Sequence, residues 1–208
     1  MKSFNAILDE LAREGIAADP QSLTDARILE ALSNFEVFWA ADYDSHKIRE
    51  GVLKALAEIQ ITSARHHEWS GIMQRRLGPL IDYQDAKFFY NLASDSLSRA
   101  KALSSLKAFE RMRTAQYQIV AALDKHTTDI CRCLDLMYLS VDDAVTWRNQ
   151  FMGIARSDQS WRQIAERFWV TLTPEDVARI DDPSDVASQG VFLPPFHDGC
   201  RSIIEPVL

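Results

Sequence analysis

The sequence predicts an α+β protein: a helical N-terminal region over residues 1–80, then a small domain at 81–208 with a few antiparallel strands and several helices. Three observations predict it. Through most of the first 113 residues, apolar side chains recur at i, i+3, i+4 and i+7, the period of a helix with one buried face. From Gln116 to Leu123 the period changes to two, with Tyr117, Ile119, Ala121 and Leu123 alternating as in a strand buried on one side. Beyond that, turn-rich stretches separate short apolar runs at Met137-Tyr138-Leu139 and Ile203-Ile204.

The elements follow in order. Phe4, Ile7, Leu8 and Leu11 share one face of a first helix that Gly15 ends. Thr24 or Asp25 caps a second, bearing Ile28, Leu32, Phe35 and Trp39. Asp44 or Ser45 caps a third with Ile48, Val52, Leu56 and Ile59, which continues across a break through His66-His67-Glu68-Trp69. Gly78-Pro79 is the domain boundary. A long helix from about Asp82 to Arg113 turns Phe88, Phe89, Leu92, Leu103 and Leu106 inward. After the first strand comes a turn-rich segment, with Met137-Tyr138-Leu139 as hairpin partner. Ser140-Val141-Asp142-Asp143 has capping-box spacing and starts a helix to about Arg156. Another helix spans Gln159 to Trp169, and Thr173-Pro174-Glu175-Asp176 opens a further one. Residues 181–196 read as loop, and Ile203-Ile204 as a last strand.

Composition narrows the function classes. Apolar residues make up 47% and charged residues 25%, an ordinary globular balance. The formal charge of −7 disfavours strong, sequence-blind DNA binding, which needs cations to displace phosphate counterions. No run approaches the roughly 20 apolar residues of a membrane span. The acidic start gives no sign of a signal peptide, and three cysteines are not a secreted disulfide framework, so the expected setting is cytoplasmic.

The chemistry concentrates in two distant segments, Leu123–Asp135 and Pro194–Ser202, which hold all three cysteines and two of the five histidines. On an extended segment Cys131 and Cys133 would face the same way, and His197 and Cys200 are spaced to share one ion on a loop. Two thiolates, one imidazole and one more ligand make a tetrahedral zinc set. Cys133, Asp135 and His126 are the candidates for the fourth place. The alternatives are a Cys131–Cys200 disulfide, unusual in a reducing cytoplasm, and buried thiols that bind nothing. Without zinc, His197 hydrogen-bonds to backbone or to Asp135, and Arg132 and Arg201 cross-link the segments through Asp124 and Asp135. In every case the pair of segments staples the strand region to the C-terminal tail.

Other constellations have plainer explanations. His66-His67-Glu68 suits a solvated helix face, Asp142-Asp143 a helix cap, and Asp181-Asp182 a turn. No nucleophile elbow, phosphate loop or HExxH occurs. A metal- or cysteine-dependent enzyme using the Cys131/His197/Cys200 cluster, including a Cys131–His197 thiol–imidazole pair, is the enzymatic alternative.

The segments resemble the C-terminal domain of the phage Mu F-like head morphogenesis (minor capsid) proteins. The first half of that pattern is matched by Leu123-Asp124, Thr127-Thr128, Cys131 and Leu134-Asp135, and the second by Pro194-Pro195, His197, Cys200, Arg201 and Ser202. The helix and strand before them extend the likeness over about residues 85–205. Leu136 stands where the family has glycine, His126 where it has arginine, and Cys133 is an additional thiol. Residues 1–80 carry no such likeness. The resemblance implies a non-enzymatic virion protein, assembled in the bacterial host cytoplasm, with the portal and other head proteins as partners and weak or no DNA binding. It also implies that Asp124, Cys131, Asp135, His197, Cys200 and Arg201 hold the domain together. An adaptor of prophage origin, linked to a toxin system, is the remaining alternative.

Overall fold

A computed structural model describes residues 3–16, 25–35, 45–81, 84–154 and 168–207. It is mixed α+β, with nine helices and one three-stranded antiparallel sheet among those residues. The chain divides into two compact units, Met1–Ala100 and Lys101–Leu208.

The first unit is helical. α1 (Phe4–Arg13) begins at Ser3, whose hydroxyl accepts from the Ala6 amide, and buries Phe4, Ile7 and Leu11. α2 (Ala26–Phe35) follows Asp25, whose carboxylate accepts from the Arg27 amide at 2.9 Å. α3 (Ser45–Ile61) packs against α1, α2 and α4 (His66–Leu77). Its buried residues, from Ile48 and Val52 to Ala57 and Ile59, occupy more than one face, as expected of a central helix. The anticipated break before His66 is real, with Ser63 at φ 50°. Trp39 and Asp44, read above as parts of helices, lie outside the described residues.

A charged network ties three of these helices. Glu58 on α3 is 5% exposed and accepts from Arg75 Nη2 at 2.5 Å and Arg76 Nε at 2.7 Å on α4. Arg76 also reaches Glu14 just beyond α1 at 2.6 Å, and Lys54 on α3 meets Glu14 at 2.5 Å. Tight packing accompanies it, since a side-chain carbon on Gly51 would lie 2.7 Å from Leu77 Cδ2 and 3.2 Å from the Arg76 carbonyl.

α5 (Ala86–Met112) is the predicted long helix, started by Asp85, which accepts from the Phe88 amide at 2.8 Å. In the second unit, β1 (Gln116–Val120) is the central strand. It pairs antiparallel with β2 (Tyr138–Ser140) through Tyr117↔Leu139, and with β3 (Ile203–Pro206) through Ile119↔Ile204 and Val120↔Ile203. Tyr117, Ile119, Leu139 and Ile204 form the buried face. The alternation does not extend to Leu123, which is 59% exposed: the strand ends at Val120 and the chain turns away.

α7 (Val141–Ile154) starts where predicted, with Ser140 accepting from the Asp143 amide at 3.2 Å. It contributes Trp147 and Phe151 to an aromatic cluster with Phe168 and Trp169. Of the helix expected at Gln159–Trp169, residues 159–167 lie outside the described residues, and Phe168 and Trp169 are not helical. α8 (Pro174–Val177) carries the expected capping box from Thr173 and Asp176. The loop reading of 181–196 needs correction. Pro183–Ser188 forms a short helix, α9, capped by Asp182 with Asp185 completing the box.

Candidate functional site

The site is built where β1 ends and β3 begins. After Val120 the chain makes an Asx-type turn. The Asp124 carboxylate accepts from the His126 amide at 2.8 Å, and Thr127 Oγ1 accepts from the Asp124 amide at 2.7 Å while donating to the Ala122 carbonyl at 2.6 Å. Thr128 is then the N-cap of a six-residue helix, α6 (Asp129–Leu134), its hydroxyl accepting from the Cys131 amide at 3.3 Å. The segment holding Cys131 and Cys133 is therefore not extended. Two residues apart on a helix point in nearly opposite directions, so Cys131 is buried while Cys133 is only half-buried and faces elsewhere. α6 is too short for periodicity to reveal, although the Thr-Thr-Asp run ahead of it is a legible cap.

The end of α6 is pinned back to the sheet. Asp135 accepts from the Ala121 amide at 2.8 Å, and the Leu136 amide donates to the Ile119 carbonyl at 2.8 Å. Asp135 thus serves backbone, and neither His197 nor an arginine. Leu136 sits at φ 59°, the left-handed region that glycine enters freely, at the position where the resembled family has glycine.

The second half arrives on a tight turn. The Cys200 amide donates to the His197 carbonyl at 3.1 Å, and Gly199 has the positive φ of 69° that the turn requires. The preceding Pro194–Pro195 bond is cis. His197 Nδ1 lies 2.9 Å from the Asp198 carbonyl, which can only accept, so Nδ1 carries a hydrogen and Nε2 faces the site. Nε2 stands 3.0 Å from Cys131 Sγ and 3.0 Å from Thr128 Oγ1. Cys131 and Cys200 Sγ are 3.7 Å apart, and Ser202 Oγ donates to Cys131 Sγ at 3.3 Å. Thr128 and Ser202 belong to the matched motif positions but carry no role in the sequence reading; both prove to be partners of Cys131.

Electrostatics favour one shared negative charge. The S–H of Cys200 pushes the Cys131 thiol below the usual thiol range, helped by His197, Ser202 and Thr128 against the opposing effect of burial. Cys200 is pushed upward, first by Cys131 and then by burial. Above them Arg201 clamps Asp124 with two parallel bonds, Nη1 to Oδ2 at 2.8 Å and Nη2 to Oδ1 at 2.7 Å. That clamp holds the Asp124 carboxyl well below the usual carboxylate range. The pair is not buried, with side chains 49% and 42% exposed, so it orients the segments more than it stabilises them. Arg132 donates instead to the Asp124 carbonyl at 3.0 Å, inside its own segment.

The ligand atoms of Cys131, His197 and Cys200 all lie within 4.8 Å of one another, and this group could hold a metal ion. A tetrahedral zinc ion would set two thiolate sulfurs about 3.8 Å apart and a sulfur and an imidazole nitrogen about 3.6 Å apart; the observed 3.7 Å agrees with the first, and the 3.0 Å Cys131–His197 contact is shorter than the second. A backbone carbonyl on the other histidine nitrogen is the usual second partner of a metal-binding imidazole. Among the described residues no fourth His, Cys, Asp or Glu joins the group, Cys133 included. The open side is a recess of about 20 Å³ lined by His126, Thr128, Cys131, His197, Arg201 and Ser202, among others. His66-His67-Glu68 forms no such group. Glu68 caps α4 by accepting from the Arg65 amide at 2.7 Å, and His66 lies against Trp69. No helix among the described residues is long and apolar enough to cross a membrane.

No protein-family model, no curated protein and no solved structure matches the chain.

Proposed function

We propose that the chain is a non-enzymatic minor head protein of a phage or prophage, acting in head morphogenesis at or near the portal. Residues 101–208 would be its shape-holding unit. One observation supports the reading. The positions that carry the family resemblance, and that lie 66–77 residues apart in sequence, are those that meet in space as Cys131–His197, Cys131–Cys200 and Asp124–Arg201. The cluster would take zinc in a structural role, with Cys131, His197 and Cys200 as ligands and the fourth position toward the recess. In this reading the metal is a brace, and the surfaces that meet the portal lie elsewhere.

The decisive experiment reads the neighbouring genes for a portal protein, co-expresses the chain with it and the head proteins encoded there, and analyses assembled heads by mass spectrometry. Recovery with the portal and presence in heads is the expected result; absence from both would overturn the reading. Cys200→Ser should lower the melting temperature of the second unit yet leave portal recovery intact at low temperature. A variant that melts like the parent but no longer joins heads would make the cluster a docking site instead.

A second reading, a cysteine- or metal-dependent enzyme, is favoured by the 3.0 Å Cys131–His197 contact beside an open recess. Rapid alkylation of Cys131 in the folded protein would support it, and inert thiols would remove it.

A further inference from the structure

We infer that Cys131 and Cys200 are an oxidisable pair that a hydroperoxide closes to a disulfide, with Cys133 excluded. The two sulfurs are neighbours 3.7 Å apart, against about 2.05 Å in a formed disulfide. Both are nearly buried, at 5% and 4% exposure, so the cluster is reached through the recess that Cys131 and His197 line. The recess opens to solvent beside Cys131 and His197, so a small hydroperoxide can reach the Cys131 sulfur. Cys133 points away on α6 and cannot reach either partner without unwinding the helix.

The steps balance. His197 Nε2 takes the Cys131 proton, and the sulfur attacks one peroxide oxygen, breaking the O–O bond to give Cys131 sulfenic acid and hydroxide, which the imidazolium neutralises to water. Cys200 sulfur then attacks Cys131 sulfur, and the sulfenic oxygen leaves with the Cys200 proton as a second water. Two thiols are oxidised and one hydroperoxide is reduced. The closed pair cannot ligate a metal, so the reduced, metal-holding state and the cystine state exclude one another. A head protein assembled in a reducing cytoplasm and released by lysis passes from the first condition to the second. That last step rests on the head-protein reading; the chemistry of the pair does not.

The test treats the purified full chain, reduced and chelated, with a few equivalents of hydrogen peroxide, then denatures, alkylates and maps it by mass spectrometry. Alkylatable thiols should fall from three to one, Cys133, with a Cys131–Cys200 cross-linked peptide. Cys133→Ser should cross-link like the parent. In Cys200→Ser a dimedone-trapped Cys131 sulfenic acid should accumulate. Three alkylatable thiols after treatment, or a first bond made by Cys133 between chains, would overturn the inference. So would Cys131 proceeding to sulfinic acid without a cross-link. Released particles that lack the chain would sink the head-protein reading while leaving this result standing.

Discussion

Leu136 should be a strained residue, and two truncations can measure the strain. Its φ of 59° lies in the left-handed region, which costs an L-residue with a Cβ about 1–2 kcal/mol. Its amide is fixed to the Ile119 carbonyl at 2.8 Å, and its neighbour Asp135 is fixed to Ala121, so the backbone cannot relax out of it. The side chain is 57% exposed, so truncation forfeits less than about 1 kcal/mol of burial. Leu136→Ala removes the side chain but keeps the Cβ and the strain. Leu136→Gly removes both, at a cost of about 0.5–1 kcal/mol from the freer unfolded chain. The glycine variant should therefore be the more stable of the two by about 0.5–1 kcal/mol, the reverse of the usual order. Urea unfolding, with calorimetry to separate the two units, reads the difference. An alanine variant as stable as the glycine variant, or more so, would refute the claim of strain. Metal stoichiometry should be the same in both, because the turn lies outside the ligand group.

Two further outcomes concern the first unit. Glu58→Ala should cost about 1–3 kcal/mol in urea unfolding, because it removes the buried carboxylate that accepts from both Arg75 and Arg76 while Arg76 keeps only Glu14; a loss below about 0.5 kcal/mol would show that water screens the network. Glu14 is held down to about 2, first by hydrogen bonding to Arg76 and then to Lys54, against the effect of burial. A depressed carboxyl contributes stability above its unfolded pKa, near 4.5, and loses it as the pH falls toward 2. With Glu14 40% exposed, the contribution is under about 1 kcal/mol. The stability difference between parent and Glu14→Gln should be constant near neutrality and vanish by about pH 2; a difference that persists there would assign it to packing.

The parts of the fold that sequence made legible are those with long or strict periods. Ile7 and Leu11, Ile48 and Val52, and Tyr117 and Ile119 are buried where their spacing put them. Caps were legible where a side chain meets its own helix, as at Asp25, Ser140 and Thr173. α6 and α9 were missed because six residues make under two turns and leave no period to count, and their caps, Thr128 and Asp182, were read as turn residues. That failure carried into the site. Reading the Cys131 segment as extended placed Cys133 beside Cys131, whereas on the short helix that carries both they face apart. Asp124, Cys131, Asp135, His197, Cys200 and Arg201 were grouped by the family resemblance, whereas Asp135's bond to Ala121 and Ser202's to Cys131 need the backbone path.

That backbone path also explains why the group assembles. In the β1–β3 ladder Ile119 faces Ile204 and Val120 faces Ile203, so Ala121 and Ala122 leave the sheet at the end where Arg201 and Ser202 enter it. The ladder thus delivers the C-terminal tail to the Asp124 turn before any sulfur or metal is involved. A slip of one residue would turn Ile204 out of the core and carry Arg201 away from Asp124. The sheet therefore sets the register, the exposed Asp124–Arg201 clamp orients the two segments, and the buried thiols close the space between them. In small zinc modules the ion supplies the folding free energy and the apo chain is unfolded. Here the ligands are brought together by paired strands and a capped helix, so an ion would add to a site that the fold has already formed. The same frame would hold the cluster whether its thiols stay free or take an ion.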